Sequence, residues 1–104
     1  MERVLNAGGF RALTFSSAEE LLQAGTAASA ACLVLDIHLP GLSGFELSRQ
    51  LARAGARQPI IFMTAHDAPA ARAEAVRLGA SAYLAKPFQG RALLAAVTGA
   101  IGSP

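Results

Sequence analysis

Three short apolar runs, each closing on a different polar side chain, constrain this chain more than anything else in it. Ala31-Cys32-Leu33-Val34-Leu35 closes on Asp36. Pro59-Ile60-Ile61-Phe62-Met63 closes on Thr64, and Ser81-Ala82-Tyr83-Leu84-Ala85 closes on Lys86, just before Pro87. Apolar and β-branched residues bounded by turn residues read as strands buried in a parallel sheet. Folds of this class hold their ligands at the carboxyl ends of such strands. An acid, a hydroxyl and an ammonium therefore converge on one sheet edge, a chemical constellation rather than a packing pattern.

Helical signals separate the runs. Residues 1–7 read as the tail of a helix stopped by Gly8-Gly9, and residues 10–15 as a short strand. Ser16-Ser17 followed by Glu19-Glu20 is a capping-box signature, opening a helix that carries Ala18, Leu21 and Leu22 and ends near Gly25. Residues 44–54 form a helix with Phe45, Leu47 and Leu51 on one face, and residues 68–78 form another. A last helix over residues 89–101 places Leu93, Val97 and Ile101 at i, i+4 and i+8. This alternation predicts one α/β domain over residues 1–104, a parallel sheet with helices on both faces in three layers, α/β/α. A chain that opens in a helix tail is expected to lack the strand before that helix, leaving the fold incomplete at its N-terminus.

Composition narrows the partners. With 53% hydrophobic and 15% charged residues, the chain can build a core and is not disordered. The net charge of +2 is too small to predict nucleic-acid binding, and Arg49, Arg53 and Arg57, four residues apart, read as a solvated helix face. The single cysteine, Cys32, sits within an expected core strand and suits a reducing cytosol, so the localisation is expected to be cytoplasmic. No stretch approaches a membrane span of about 20 apolar residues, so no membrane association is expected.

Leu33-Val34-Leu35-Asp36-Ile37-His38-Leu39-Pro40-Gly41-Leu42-Ser43-Gly44, Ile60-Ile61-Phe62-Met63-Thr64-Ala65-His66 and Ala82-Tyr83-Leu84-Ala85-Lys86-Pro87-Phe88 resemble, in order and spacing, the receiver domain of two-component response regulators. The resemblance covers nearly the whole chain and implies a flavodoxin-like fold with strand order 2-1-3-4-5. It implies that Asp36 is the phosphoryl-accepting nucleophile, that Thr64, Lys86 and the Ala65 N–H contact the phosphoryl group, and that Thr64 and Tyr83 form the switch. The Lys86-Pro87 peptide is expected to be cis. Mg²⁺ would be held by Asp36 and the His38 carbonyl. The chemistry fits these residue types: a carboxylate attacks phosphorus to give an acyl phosphate, and positioned donors meet the charge spread over the transferred group. The small Ala65 side chain leaves room for that group.

Receivers begin with a strand ending in two adjacent acids that complete the Mg²⁺ site. No acid pair precedes Gly8-Gly9, and Glu2 lies in the helix remnant. The chain is therefore expected to start within the first helix, roughly twenty residues short, with an incomplete metal site. Loss of an inner strand leaves three repairs: residues 11–15 move over to pair with the Asp36 strand, a second molecule supplies a strand, or the region stays disordered; short loops and the need to bury Leu13 and Phe15 argue against the last, and a homodimer is favoured.

Three functions compete. A receiver would take phosphate from a histidine kinase or phosphotransfer protein and signal through its helix 4–strand 5–helix 5 surface. A receiver-derived interaction module would work without phosphate. A phosphohydrolase with an aspartyl nucleophile would favour a second acid two residues after Asp36, where His38 stands instead. His38 and His66 with Asp36 or Asp67 form a minor metal reading, and solvated loop histidines are the plainer one. Gly41-Leu42-Ser43-Gly44 lacks the Gly-x-Ser-x-Gly spacing and reads as a turn that starts a helix. No DNA-binding segment is expected after Ile101, so output would be by protein contact or through the rest of a longer regulator.

Overall fold

A computed structural model of the chain describes residues 2–13, 15–25 and 29–102. All three apolar runs become strands, shifted by one or two residues toward their polar ends: β1 (Leu33–Asp36), β2 (Ile60–Thr64) and β3 (Ala82–Ala85). Around them lie α1 (Glu2–Ala7), α2 (Ala18–Ala24), α3 (Gly44–Arg53), α4 (Pro69–Arg77) and α5 (Gly90–Ile101). The sheet is parallel, in the order β1-β2-β3. Parallel neighbours need a crossover, and α3 and α4 supply the two that join them.

Local chemistry accounts for the helix starts. Ser17 Oγ accepts the Glu20 N–H at the head of α2, and Ser43 Oγ accepts the Glu46 N–H at the head of α3, each filling one orphan donor. Gly25 ends α2 at φ 68°, a conformation that costs a glycine little. The arginine face expected on α3 is cut short, because the helix stops at Arg53 and Gly55 turns the chain at φ 91°. Arg49 bridges Glu46 and the α4 residue Glu74, which Arg77 also holds.

Helices cover both faces of the sheet. One cluster joins Leu33, Leu35 and Phe62 to Ala18 and Leu21 of α2, Leu47 and Leu51 of α3, and Ala75 of α4. Phe45 adds an edge-to-face contact with Phe62, ring centroids 4.9 Å apart. The other joins Ile61 to Leu5 of α1 and Leu93 and Val97 of α5, with Ile101 packed against it.

The N-terminal part departs from expectation. Residues 10–13 and Phe15 belong to no strand, and no internal rearrangement pairs them with β1. Their backbone finds local partners instead: the Phe10 N–H donates to the Leu5 carbonyl, and the Ala12 N–H to Asn6 Oδ1. Phe10 and Ala12 pack on the α1–α5 side and Phe15 on the other, but Leu13, expected to be buried, is 63% exposed. Met1, Thr14, Ser103 and Pro104, to which the sequence reading also extended, lie outside the described residues.

Gly44 ties the fold to the sheet edge. Its N–H donates to the Ile37 carbonyl, and a Cβ added there would lie 2.3 Å from the Asp36 carbonyl oxygen. Gly99, in α5, has nothing within 4 Å of such a Cβ. Gly44→Ala is therefore expected to destabilise the domain by about 1–3 kcal/mol. Gly99→Ala should stabilise it by about 0.5–1 kcal/mol. Urea denaturation of the two variants checks both signs.

Candidate functional site

Strand register decides which side chains meet. Asp36 pairs with Met63, and Met63 with Leu84, so these three form one row across the sheet on one face. Lys86 follows Leu84 by two residues and keeps that face. Its backbone N–H is fixed on the Thr64 carbonyl at 2.7 Å. From there the ammonium reaches over Met63 to Asp36, with Nζ 2.6 Å from Oδ2. Asp36 Oδ1 accepts the His38 N–H at 2.9 Å. An open depression of about 470 Å³, lined by Met63, Lys86, Pro87 and Phe88, lies beside the pair. The Lys86-Pro87 peptide is cis.

Electrostatics keep the acid ionised. Partial burial pushes the Asp36 carboxyl up, but the Lys86 hydrogen bond, the His38 N–H and the charges of Lys86 and His38 outweigh it, and the net direction is down. The side chains of Asp36 and Lys86 remain 23% and 38% exposed, so solvent screens the pair.

Thr64 is placed differently. It pairs with Ala85 and falls on the opposite face, in line with Phe62 and Tyr83. It is fully buried, and its hydroxyl oxygen accepts the His66 N–H at 3.0 Å. No hydrogen bond joins it to Asp36 here; it caps its own loop, with Ala65 inside that turn. The His38 and His66 rings meet edge-on at 5.3 Å, yet the described residues contain no group of three His, Cys, Asp or Glu able to hold a metal ion. Asp36 brings one carboxylate, both of whose oxygens already accept hydrogen bonds.

Sequence reasoning considered Asp67 only as a metal ligand. In the fold it binds Arg72 through both oxygens, at 2.9 and 2.8 Å, and accepts the Tyr83 hydroxyl at 3.1 Å. The Arg72 guanidinium stands 4.7 Å from the centre of the Tyr83 ring. The Arg72 hydrogen bonds draw the Asp67 carboxyl down, while burial and then the Asp67 hydrogen bond push the Tyr83 phenol up. The five-residue spacing of Asp67 and Arg72 matches no helical pair, so the only signal was the acid itself at a strand-to-helix loop.

Because folding lowers the Asp36 carboxyl from its ordinary 3.8, the Lys86 pair contributes stability above that value and loses it as pH falls through the folded one. Lys86→Met is expected to cost about 0.5–1 kcal/mol at neutral pH, the screened limit, and nothing once Asp36 is protonated. The Asp36 titration, followed by carboxyl NMR, should move upward in that variant. An unchanged titration would contradict the assignment of the cause.

The chain is 40% identical to the transcriptional regulatory protein FixJ of Azorhizobium caulinodans over 95% of its own length and 47% of the relative's. It is 42% identical to nodulation protein W of Bradyrhizobium diazoefficiens, over 88% of this chain and 40% of that one. It thus spans about half the length of the curated relatives it matches. Among solved structures, a response regulator receiver protein from Burkholderia phymatum superposes with a TM-score of 0.82 at 37% identity, covering 99% of this chain and 84% of that one. The family model of the response regulator receiver domain matches residues 1–98, and the chain belongs to that family, with its flavodoxin-like α/β fold.

Proposed function

We propose that Asp36 accepts a phosphoryl group from the phosphohistidine of a histidine kinase or phosphotransfer protein. The Asp36–Lys86 ion pair at the carboxyl edge of the sheet, 2.6 Å long and open to solvent, carries this reading. A carboxylate oxygen forms the new O–P bond, the N–P bond of the donor breaks, and the imidazole leaves with the electron pair and takes a proton from solvent. Lys86 holds Asp36 ionised beforehand and meets the charge on the transferred oxygens afterwards. The Ala65 N–H and the Thr64 hydroxyl, once turned toward Asp36, add donors. The signal then leaves through the α4–β3–α5 surface, where Val76 stands 78% exposed. We place the domain in the cytoplasm; no described helix is long and apolar enough to cross a membrane.

Receiver domains of the family bind Mg²⁺. That ion takes near-octahedral oxygen ligation, commonly from more than one carboxylate or phosphate. The donors expected to hold it, the Asp36 carboxylate and the His38 carbonyl, do not meet that demand, and both Asp36 oxygens already accept hydrogen bonds. This favours a second reading, an interaction module that works without phosphate. The two divide on one measurement. Treated with acetyl phosphate and Mg²⁺, the chain is expected to gain one phosphoryl group in a minor fraction of molecules by intact mass, and none in Asp36→Asn. No addition from acetyl phosphate or any kinase would leave the module reading standing.

The second edge of β1 carries no strand among the described residues. An open edge beside apolar strands invites pairing with another chain. We propose a homodimer joined there. Light scattering at micromolar concentration should give twice the mass of one chain; a stable monomer would exclude it.

A further inference from the structure

We infer that Met63 is a modification site: a peroxide oxidises its thioether to the sulfoxide, and the new oxygen draws the Lys86 ammonium away from Asp36. The effect on the ion pair stands on geometry alone. That it also lowers phosphoryl acceptance rests on the reading of Asp36 as phosphoacceptor.

Among the described residues, Met63 is the large apolar side chain of β2 that the core does not absorb. Ile61 and Phe62 are fully buried and Ile60 packs on the α2–α3 side, whereas Met63 is half-buried and belongs to neither apolar cluster. It lines the open depression of about 470 Å³ together with Lys86, Pro87 and Phe88. Methionine oxidation follows exposure, so a side chain that lines an open depression is the one a dissolved oxidant meets. Register places it between the two charges. Met63 stands opposite Asp36 on one side and Leu84 on the other, and Lys86 follows Leu84 by two residues on the same face. To come within 2.6 Å of Asp36 Oδ2, the Lys86 side chain crosses from the end of β3 to β1, over the strand that carries Met63.

Hydrogen peroxide suffices as the oxidant. A sulfur lone pair attacks one peroxide oxygen, the S–O bond forms and the O–O bond breaks. The second oxygen leaves as hydroxide and takes the proton from the first, ending as water. Sulfur loses two electrons and the peroxide gains them. A weak acceptor thereby becomes a polar one with an oxygen to offer. The Asp36 bond uses one of the three donors of the ammonium. Because solvent screens that pair, it holds Lys86 weakly, and a strong acceptor in the same depression competes for it.

Lys86 is the chain's one lysine, so a label at the lysine ε position gives a single resonance. The test uses the full chain, its Met63→Leu and Met63→Gln variants, and hydrogen peroxide removed afterwards by catalase. Peptide mapping places the oxygen, and circular dichroism verifies folding. Met63 should be oxidised within about tenfold of the rate of free methionine in the same solution. The Lys86 resonance should then move in wild type, stay still in peroxide-treated Met63→Leu, and stand displaced in untreated Met63→Gln, whose amide oxygen is a permanent acceptor. Met63→Leu keeps the volume and removes the sulfur, so it also subtracts any effect of oxidising Met1 or Cys32. With acetyl phosphate and Mg²⁺, oxidised wild type should take about two- to fivefold less phosphoryl by intact mass, the factor that one screened ion pair supplies. A Met63 left intact after free methionine is consumed overturns the site. An unmoved Lys86 resonance in oxidised, folded wild type overturns the coupling; where oxidation unfolds the chain, Met63→Gln decides on the same criterion. Equal phosphoryl uptake before and after oxidation overturns the effect on acceptance. If untreated wild type takes no phosphoryl at all, the reading of Asp36 fails, and the Lys86 resonance alone decides whether Met63 acts on the pair.

Discussion

Every functional contact in this domain descends from the parallel ladder of β1, β2 and β3, whose ends lie close to register. Pairing of Asp36 with Met63 and of Met63 with Leu84 sets a row of side chains on one face, and the two-residue period of a strand then delivers Lys86 to the same side. A slip of one residue in either pairing would send the ammonium to the other face and leave Asp36 without its cation. Buried Leu35, Ile61 and Phe62 guard against that slip, because each would have to leave its helical cover. Core packing and site geometry are therefore one constraint.

The pair itself is a compromise between two demands. Full burial would strengthen the attraction of Lys86 for Asp36, but it would also desolvate both charges and close them off from solvent. With Asp36 mostly covered and Lys86 more than a third exposed, the interaction is screened and adds little to stability. What the pair does is prepare the carboxylate: the opposing charge holds it ionised, and the His38 N–H fixes its orientation. Gly44 belongs to the same preparation, since only the absence of a Cβ lets α3 begin against the Asp36 backbone.

What could be read from the residues beforehand divides along the range of the interactions. Asp36 and Lys86 were legible because each ends an apolar run, and strand ends are set by local sequence. Helix starts at Ser17 and Ser43 were legible because a cap is a contact over three residues. The placement of Thr64 depended on one residue of strand boundary: a strand ending at Met63 leaves Thr64 free to face Asp36, whereas a strand that includes it assigns it to the face of Phe62. Residues 10–15 carry strand-like composition, but a strand exists only beside a partner, and pairing is a property of neighbours distant in sequence. The contact of Tyr83 with Asp67 spans 16 residues and three elements, and nothing local announces it.

The two faces of the sheet also divide the labour at the site. Asp36, Met63, Leu84 and Lys86 share one row, and Thr64 and Tyr83 the other, with the loop from Ala65 to Asp67 passing between them. Between the rows the sheet core, Ile61 and Phe62, is fully buried and closely packed. A closely packed core transmits poorly by sliding but holds two rows in fixed relation. Thr64 at one end of that loop and Asp67 at the other are each tied by a hydrogen bond, to His66 and to Tyr83. Burial thus fixes the strands, and the polar contacts gather at their carboxyl edge.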